Sequence, residues 1–123
     1  MTKKEFFKKI ILRKSNYDIF ELEAKNEAGL KKEIFRRVKF RGIKLLGFEE
    51  ENEYGSSWGW TIYKTEKNNY IVFEEDFQGG YVSNYKTYIH IFDNLSDLLD
   101  YMERYYQFSF NSELYKMGYF EEI

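Results

Sequence analysis

The sequence predicts an α+β fold: a single domain in which helices pack on an antiparallel β-sheet of about four strands joined as a meander. Three observations carry that expectation. Segments of helical period stand towards both ends of the chain, and segments of strict alternation occupy the middle. The turns between the alternating segments are short and polar. The 123 residues contain no repeat, low-complexity tract or linker, which is the pattern of one domain of ordinary size. A chain of this length hides roughly two thirds of its unfolded surface, enough for a core without staples.

The first element is a helix over residues 3–13, KKEFFKKIILR, where Phe6, Phe7, Ile10 and Ile11 share a face opposite the lysines. Ser15 or Asn16 is placed to cap a short helix, or to open a strand, through YDIFELEA. Residues 27–38, EAGLKKEIFRRV, repeat the helical spacing with Leu30, Ile34, Phe35 and Val38, so residues 1–44 are expected to be mainly helical. Gly42 ends that pattern, and IKLLGF reads as a strand.

From Trp58 the period falls to two. WGWTIYK sets Trp58, Trp60 and Ile62 against Thr61 and Tyr63; TEKNN is a turn, and YIVFEE is the returning strand. Gly79 and Gly80 bend the chain before YVSNYKTYIHIF. Asn94 then stands as the N-cap of a helix near residues 95–106, with Asp97 by the positive end of its dipole. Leu95, Leu98, Leu99, Met102, Tyr105 and Tyr106 form its apolar stripe, and SELYKMGYF is a last short helix.

Composition narrows the function classes. Without cysteine there is neither a disulfide nor a thiolate metal site, which suits a reducing cytoplasm. No apolar run approaches the ~20 residues that cross a bilayer. The basic start, MTKKEFFKKIILRK, has its apolar positions interrupted by lysines, unlike a secretory signal. The net charge of −2 hides a division of the chain. Residues 1–44 carry 14 Lys and Arg against 6 Asp and Glu, whereas residues 45–123 carry 5 against 15. Such asymmetry points to a charged partner, or to two halves that neutralise each other.

Gly55-Ser56-Ser57-Trp58-Gly59 matches Gly-x-Ser-x-Gly, but a nucleophile elbow requires a helix after the serine, and WGWTIYK reads as a strand. The one histidine, His90, would have to be the base, and reads instead as a half-buried strand residue. One histidine and no cysteine leave only all-oxygen metal sites, and EEDFQGG lacks the ligand spacing of a calcium loop. No enzymatic activity, cofactor or metal is therefore expected.

Two charged regions remain as binding candidates. Glu49, Glu50, Glu51 and Glu53 precede the tryptophans in a segment expected to be a loop, while Glu74, Glu75 and Asp76 are expected in a later loop at the same sheet edge. Carboxylates around the aromatic anchors Trp58, Trp60, Tyr81 and Tyr85 suit a basic protein surface. The alternative is a nucleic-acid surface of Arg36, Arg37, Lys39, Arg41 and Lys44, which the acidic half would oppose and which contains no known nucleic-acid motif.

Strands ending in YIHIF, followed by DNLSDLLDYMERYY, resemble the strand–turn–helix ending of many small bacterial immunity proteins. The resemblance covers roughly residues 58–106, together with the size, the cysteine-free composition and the acidic, aromatic second half. It implies a non-enzymatic inhibitor that blocks a toxin, often a nuclease, made by the same or a neighbouring cell. Phage-encoded inhibitors of host defence nucleases are similar for the same physical reason, since both must occupy a cationic nucleic-acid site.

Overall fold

The computed structural model describes residues 1–80 and 83–123. The chain runs α1 (Lys3–Arg13), β1 (Asp18–Ala28), β2 (Lys31–Glu51), β3 (Ser57–Thr65), β4 (Tyr70–Gln78), β5 (Asn84–Phe92), α2 (Leu95–Tyr105) and α3 (Gln107–Lys116). Every strand pairing is antiparallel and joins consecutive strands, and β5 then returns to β1. The α+β class and the meander order hold. The sheet, however, has five strands and closes into a barrel, where the alternation pattern suggested an open sheet of about four.

The largest departure lies in the basic first third. The helix expected over residues 27–38 does not form, and of residues 1–44 only α1 is helical. Gly29, at φ +60, turns the chain between β1 and β2, a conformation that glycine adopts without steric cost. The apparent helical stripe is spread over the turn and β2, leaving Leu30 and Phe35 on the surface. Opposite charges face each other across the hairpin instead, with Glu23 against Arg37 and Glu21 against Lys39 in register. The segment YDIFELEA supplies most of β1, and IKLLGF is only the later part of the 21-residue β2.

Two separate cores follow from strand alternation. Phe20, Leu22, Val38, Phe40, Tyr63, Ile71, Phe73 and Ile89 come from all five strands and fill the barrel. On the outer face, Trp60, Ile62 and Val72 meet Phe7 and Ile10 of α1, Leu98 and Met102 of α2, and Phe110 and Leu114 of α3. Thr2 and Glu5 form a reciprocal capping box at the start of α1. Asn94 accepts from the Asp97 amide as the cap of α2. Tyr106 lies just beyond α2, and Tyr105 turns outwards instead of joining the buried stripe. The last helix begins at Gln107, earlier than SELYKMGYF suggested.

Gly59 lets β2 and β3 approach closely. A Cβ built there would lie 2.4 Å from the Phe48 carbonyl oxygen, which is backbone and has little room to yield. Gly59→Ala is expected to destabilise the protein by about 2 kcal/mol through this overpacking. Urea unfolding measures it, and an unchanged midpoint would mean that the two strands part there without cost.

Candidate functional site

One mouth of the barrel collects six of the seven acidic candidates, Glu74 being the exception. The register sets Glu49, Gly59, Glu75 and Thr87 in one row across β2–β5, and Glu50, Trp58, Asp76 and Lys86 in the next. A third row runs Glu51, Ser57, Phe77, Tyr85 and, across the closing seam, Glu27. Alternation turns the first and third rows towards the barrel axis and the middle row outwards. Glu53 is exposed on the connecting turn, where the Asn52 side chain accepts from the amides of Tyr54 and Ser56.

The inward rows line a cavity of about 490 Å³ whose walls include Lys44, Glu49, Thr61, Glu75, Phe77 and Tyr85. The Tyr85 hydroxyl donates to Glu75, and the Lys25 ammonium lies 5.2 Å above the Tyr85 ring. Burial, then the hydrogen bond to Glu75, pushes the Tyr85 hydroxyl well above the ordinary tyrosine range, so it stays a donor. Glu27 accepts from Lys25 at 2.9 Å. A neighbouring groove of about 650 Å³ is lined by Glu50, Glu51, Asn52, Trp58, Asp76 and Phe77. The two tryptophans separate here. Trp58 is 37 % exposed, donates to Glu50 at 3.0 Å and stacks on Tyr106, whereas Trp60 is 1 % exposed and belongs to the core.

Two expected acidic loops are strand instead: Glu49, Glu50 and Glu51 end β2, and Glu74, Glu75 and Asp76 lie in the later part of β4, where their side chains part company. Glu74 faces the helices and accepts from the hydroxyls of Tyr101 and Tyr106 and from His90 Nε2 at 2.8 Å. Burial raises its pKa, but the hydrogen bonds from His90, Tyr101 and Tyr106 outweigh this and hold it below the ordinary carboxylate value. It is a structural acceptor, and the half-exposed His90 that contacts it is one of its donors. The alternation of Tyr70, Val72 and Glu74 on one face was the sequence signal for this role. Ser57 and His90 lie on opposite faces of the sheet, their register partners being Phe77 and Val72. Tyr81 lies outside the described residues.

The basic candidates do not form one surface. Arg36, Arg37, Lys39 and Arg41 follow one another on β2, but Lys44 lies among the acids of the mouth. Arg37 pairs with Glu23 at 2.6 Å, Lys39 with Glu21 at 3.5 Å and Arg41 with Glu66 at 3.6 Å. Among the described residues no group of three or more His, Asp or Glu side chains is arranged to hold a metal ion. No described helix is long and apolar enough to cross a membrane. No protein-family model matches the chain, and no curated protein or solved structure matches it either.

Proposed function

We propose that the protein is a non-enzymatic inhibitor that sets its acidic barrel mouth against a cationic protein surface, as an immunity protein does on a nuclease toxin. The observation that carries this reading is the convergence of Glu49, Glu50, Glu51, Glu75 and Asp76 around Trp58 and Tyr85 at one end of the barrel. Carboxylates steer the encounter with a surface built for phosphates, and a half-exposed indole supplies an anchor with a fixed orientation. The barrel gives the cluster a rigid base, so little order has to be gained on binding. Steric cover of the nucleic-acid site then blocks substrate without any chemistry. A phage-encoded inhibitor of a defence nuclease would use the same surface, and the identity of the target separates the two. Lys44 stands among the acids of the mouth, apart from Arg36, Arg37, Lys39 and Arg41, which counts against one nucleic-acid surface built from all five.

The test uses the wild-type chain and a Glu49→Lys, Glu50→Lys, Glu51→Lys, Glu53→Lys variant as parallel baits in nuclease-treated lysate of the native cell. The expected result is a nuclease retained by the wild type, inhibited by it in solution and bound at least tenfold more weakly by the variant, roughly the effect of reversing several rim charges. Equal retention by both baits would remove the acidic mouth from the interface. Loss of all captured material on nuclease treatment would remove the inhibitor reading itself. All four positions are exposed, so circular dichroism should show an unchanged fold.

A further inference from the structure

β2 is longer than its neighbours, and that length leaves part of it with one partner. Residues 31–42 pair with β1, whereas β3 joins β2 only from Gly42 onwards. The Glu66 amide donates to the Arg41 carbonyl at 2.9 Å and ends the ladder on that side. Among the described residues no strand lies against the second edge of residues 31–41. A row of unpaired N–H and C=O groups on a strand is a template for another strand.

Beside the last part of this edge runs a groove of about 490 Å³. Val38, Phe40, Ile71 and Ile91 contribute its apolar lining, and Lys39, Arg41 and Lys67 stand around it with the single carboxylate of Glu66. The edge itself carries Lys31, Lys32, Arg36, Arg37, Lys39 and Arg41 against the single acid Glu33. These charges decide between occupants. A second copy paired antiparallel on the same edge would set this cationic strand against itself, and like charges across a ladder are destabilising. A phosphate backbone would use the charges but neither the open backbone edge nor the apolar lining.

We propose that the free edge of β2 is a strand-addition site for an extended segment of a partner protein in which acidic and apolar residues alternate. The segment continues the sheet through backbone hydrogen bonds, places its apolar side chains in the Val38–Phe40–Ile71–Ile91 groove and its carboxylates by Lys39 and Arg41. The pairs Lys39–Glu21 and Arg41–Glu66 lie in solvent, so exchanging their carboxylates for those of a partner costs little. This surface is independent of the acidic mouth and would persist if the mouth had another role.

The probe is the synthetic peptide acetyl-Glu-Val-Glu-Ile-Glu-Val-Glu-amide, titrated into the isotope-labelled full chain and followed by nuclear magnetic resonance. Shift changes are expected at residues 31–41, at the β3–β4 turn and at Ile91, with slowed exchange of alternate β2 amides. The Lys39→Glu, Arg41→Glu variant, changed only at exposed positions, should bind roughly tenfold more weakly. A peptide of the same charge with alternate amides N-methylated should not bind. Equal binding of that peptide would reduce the interaction to charge attraction and overturn strand addition. Displacement of the peptide by an oligodeoxythymidylate of matching length, at equal concentration, would assign the edge to nucleic acid. No shift at all would leave the lysines and arginines as guards against self-association only.

Discussion

Trp60→Ala is expected to destabilise the fold by about 4 kcal/mol, the range for truncating a fully buried aromatic residue. Trp60 is the largest of the fully buried side chains and joins the barrel to the helical layer. Its ring lies against Phe48 of β2, Phe110 of α3 and Tyr106 at the α2–α3 junction. Its Nε1 donates to the Ser109 hydroxyl at 2.9 Å, and that hydroxyl donates in turn to the Tyr106 carbonyl. Alanine removes the contacts and leaves a cavity that neither the barrel nor the helices can close without shifting. Urea unfolding at neutral pH reads the loss as a lower midpoint at similar slope. Trp60→Phe should recover more than half of it, because the ring remains and only the hydrogen bond and part of the volume are lost. A loss below about 1 kcal/mol for alanine would mean that the helices do not depend on β3 for their seat.

Glu74→Ala is the second large effect, expected at about 3 kcal/mol at neutral pH. Its carboxylate takes hydrogen bonds from Tyr101 and Tyr106, whose hydroxyls would be left half-buried without an acceptor, and from His90. The pH dependence has a definite sign. The folded-state pKa is depressed below the ordinary glutamate value, so the contribution is present above that value and is lost as pH falls through the lower folded one. Wild type and Glu74→Gln should therefore differ most near neutral pH and converge in acid. His90, Tyr101 and Tyr106 face the carboxylate directly, and Asp76 adds negative charge near Tyr106. Chemical denaturation across that range tests it; a gap that stayed constant into acid would mean that the charge on Glu74 contributes nothing.

The parts of the fold legible in the sequence were those where one signal acts alone. Asn94 and the leucine stripe mark α2, and WGWTIYK with YIVFEE marks the β3–β4 hairpin, because alternation there separates two different cores. The β1–β2 hairpin was not legible. Leu30, Ile34, Phe35 and Val38 meet helical spacing, yet Leu30 lies in the turn, Ile34 and Phe35 are exposed on β2 and Val38 faces the barrel. The register shift that leaves Phe35 unpaired breaks the alternation that would have opposed a helix. Closure of the barrel depends on β5 reaching β1, a long-range fact that no local window contains. The acidic mouth was largely legible, since hairpin register brings Glu50, Trp58 and Asp76 into one row. Trp60 and Glu74 were read as partner contacts because composition counts charges and rings without asking which face they occupy. Lys44 was grouped with the other cations for the same reason.

The seam between β1 and β5 also bears on the order in which the chain can fold. Four of the five strand pairings join neighbours in sequence, so each can zip outwards from its own turn with little loop entropy to overcome. The fifth joins Asn26 to Lys86, Glu27 to Tyr85 and Ala28 to Asn84, and must wait for everything between them. Thr87 strengthens it by accepting from the Lys25 amide and donating to the Glu23 carbonyl across the gap. By topology the meander is expected to be a curled ribbon first and a ring last.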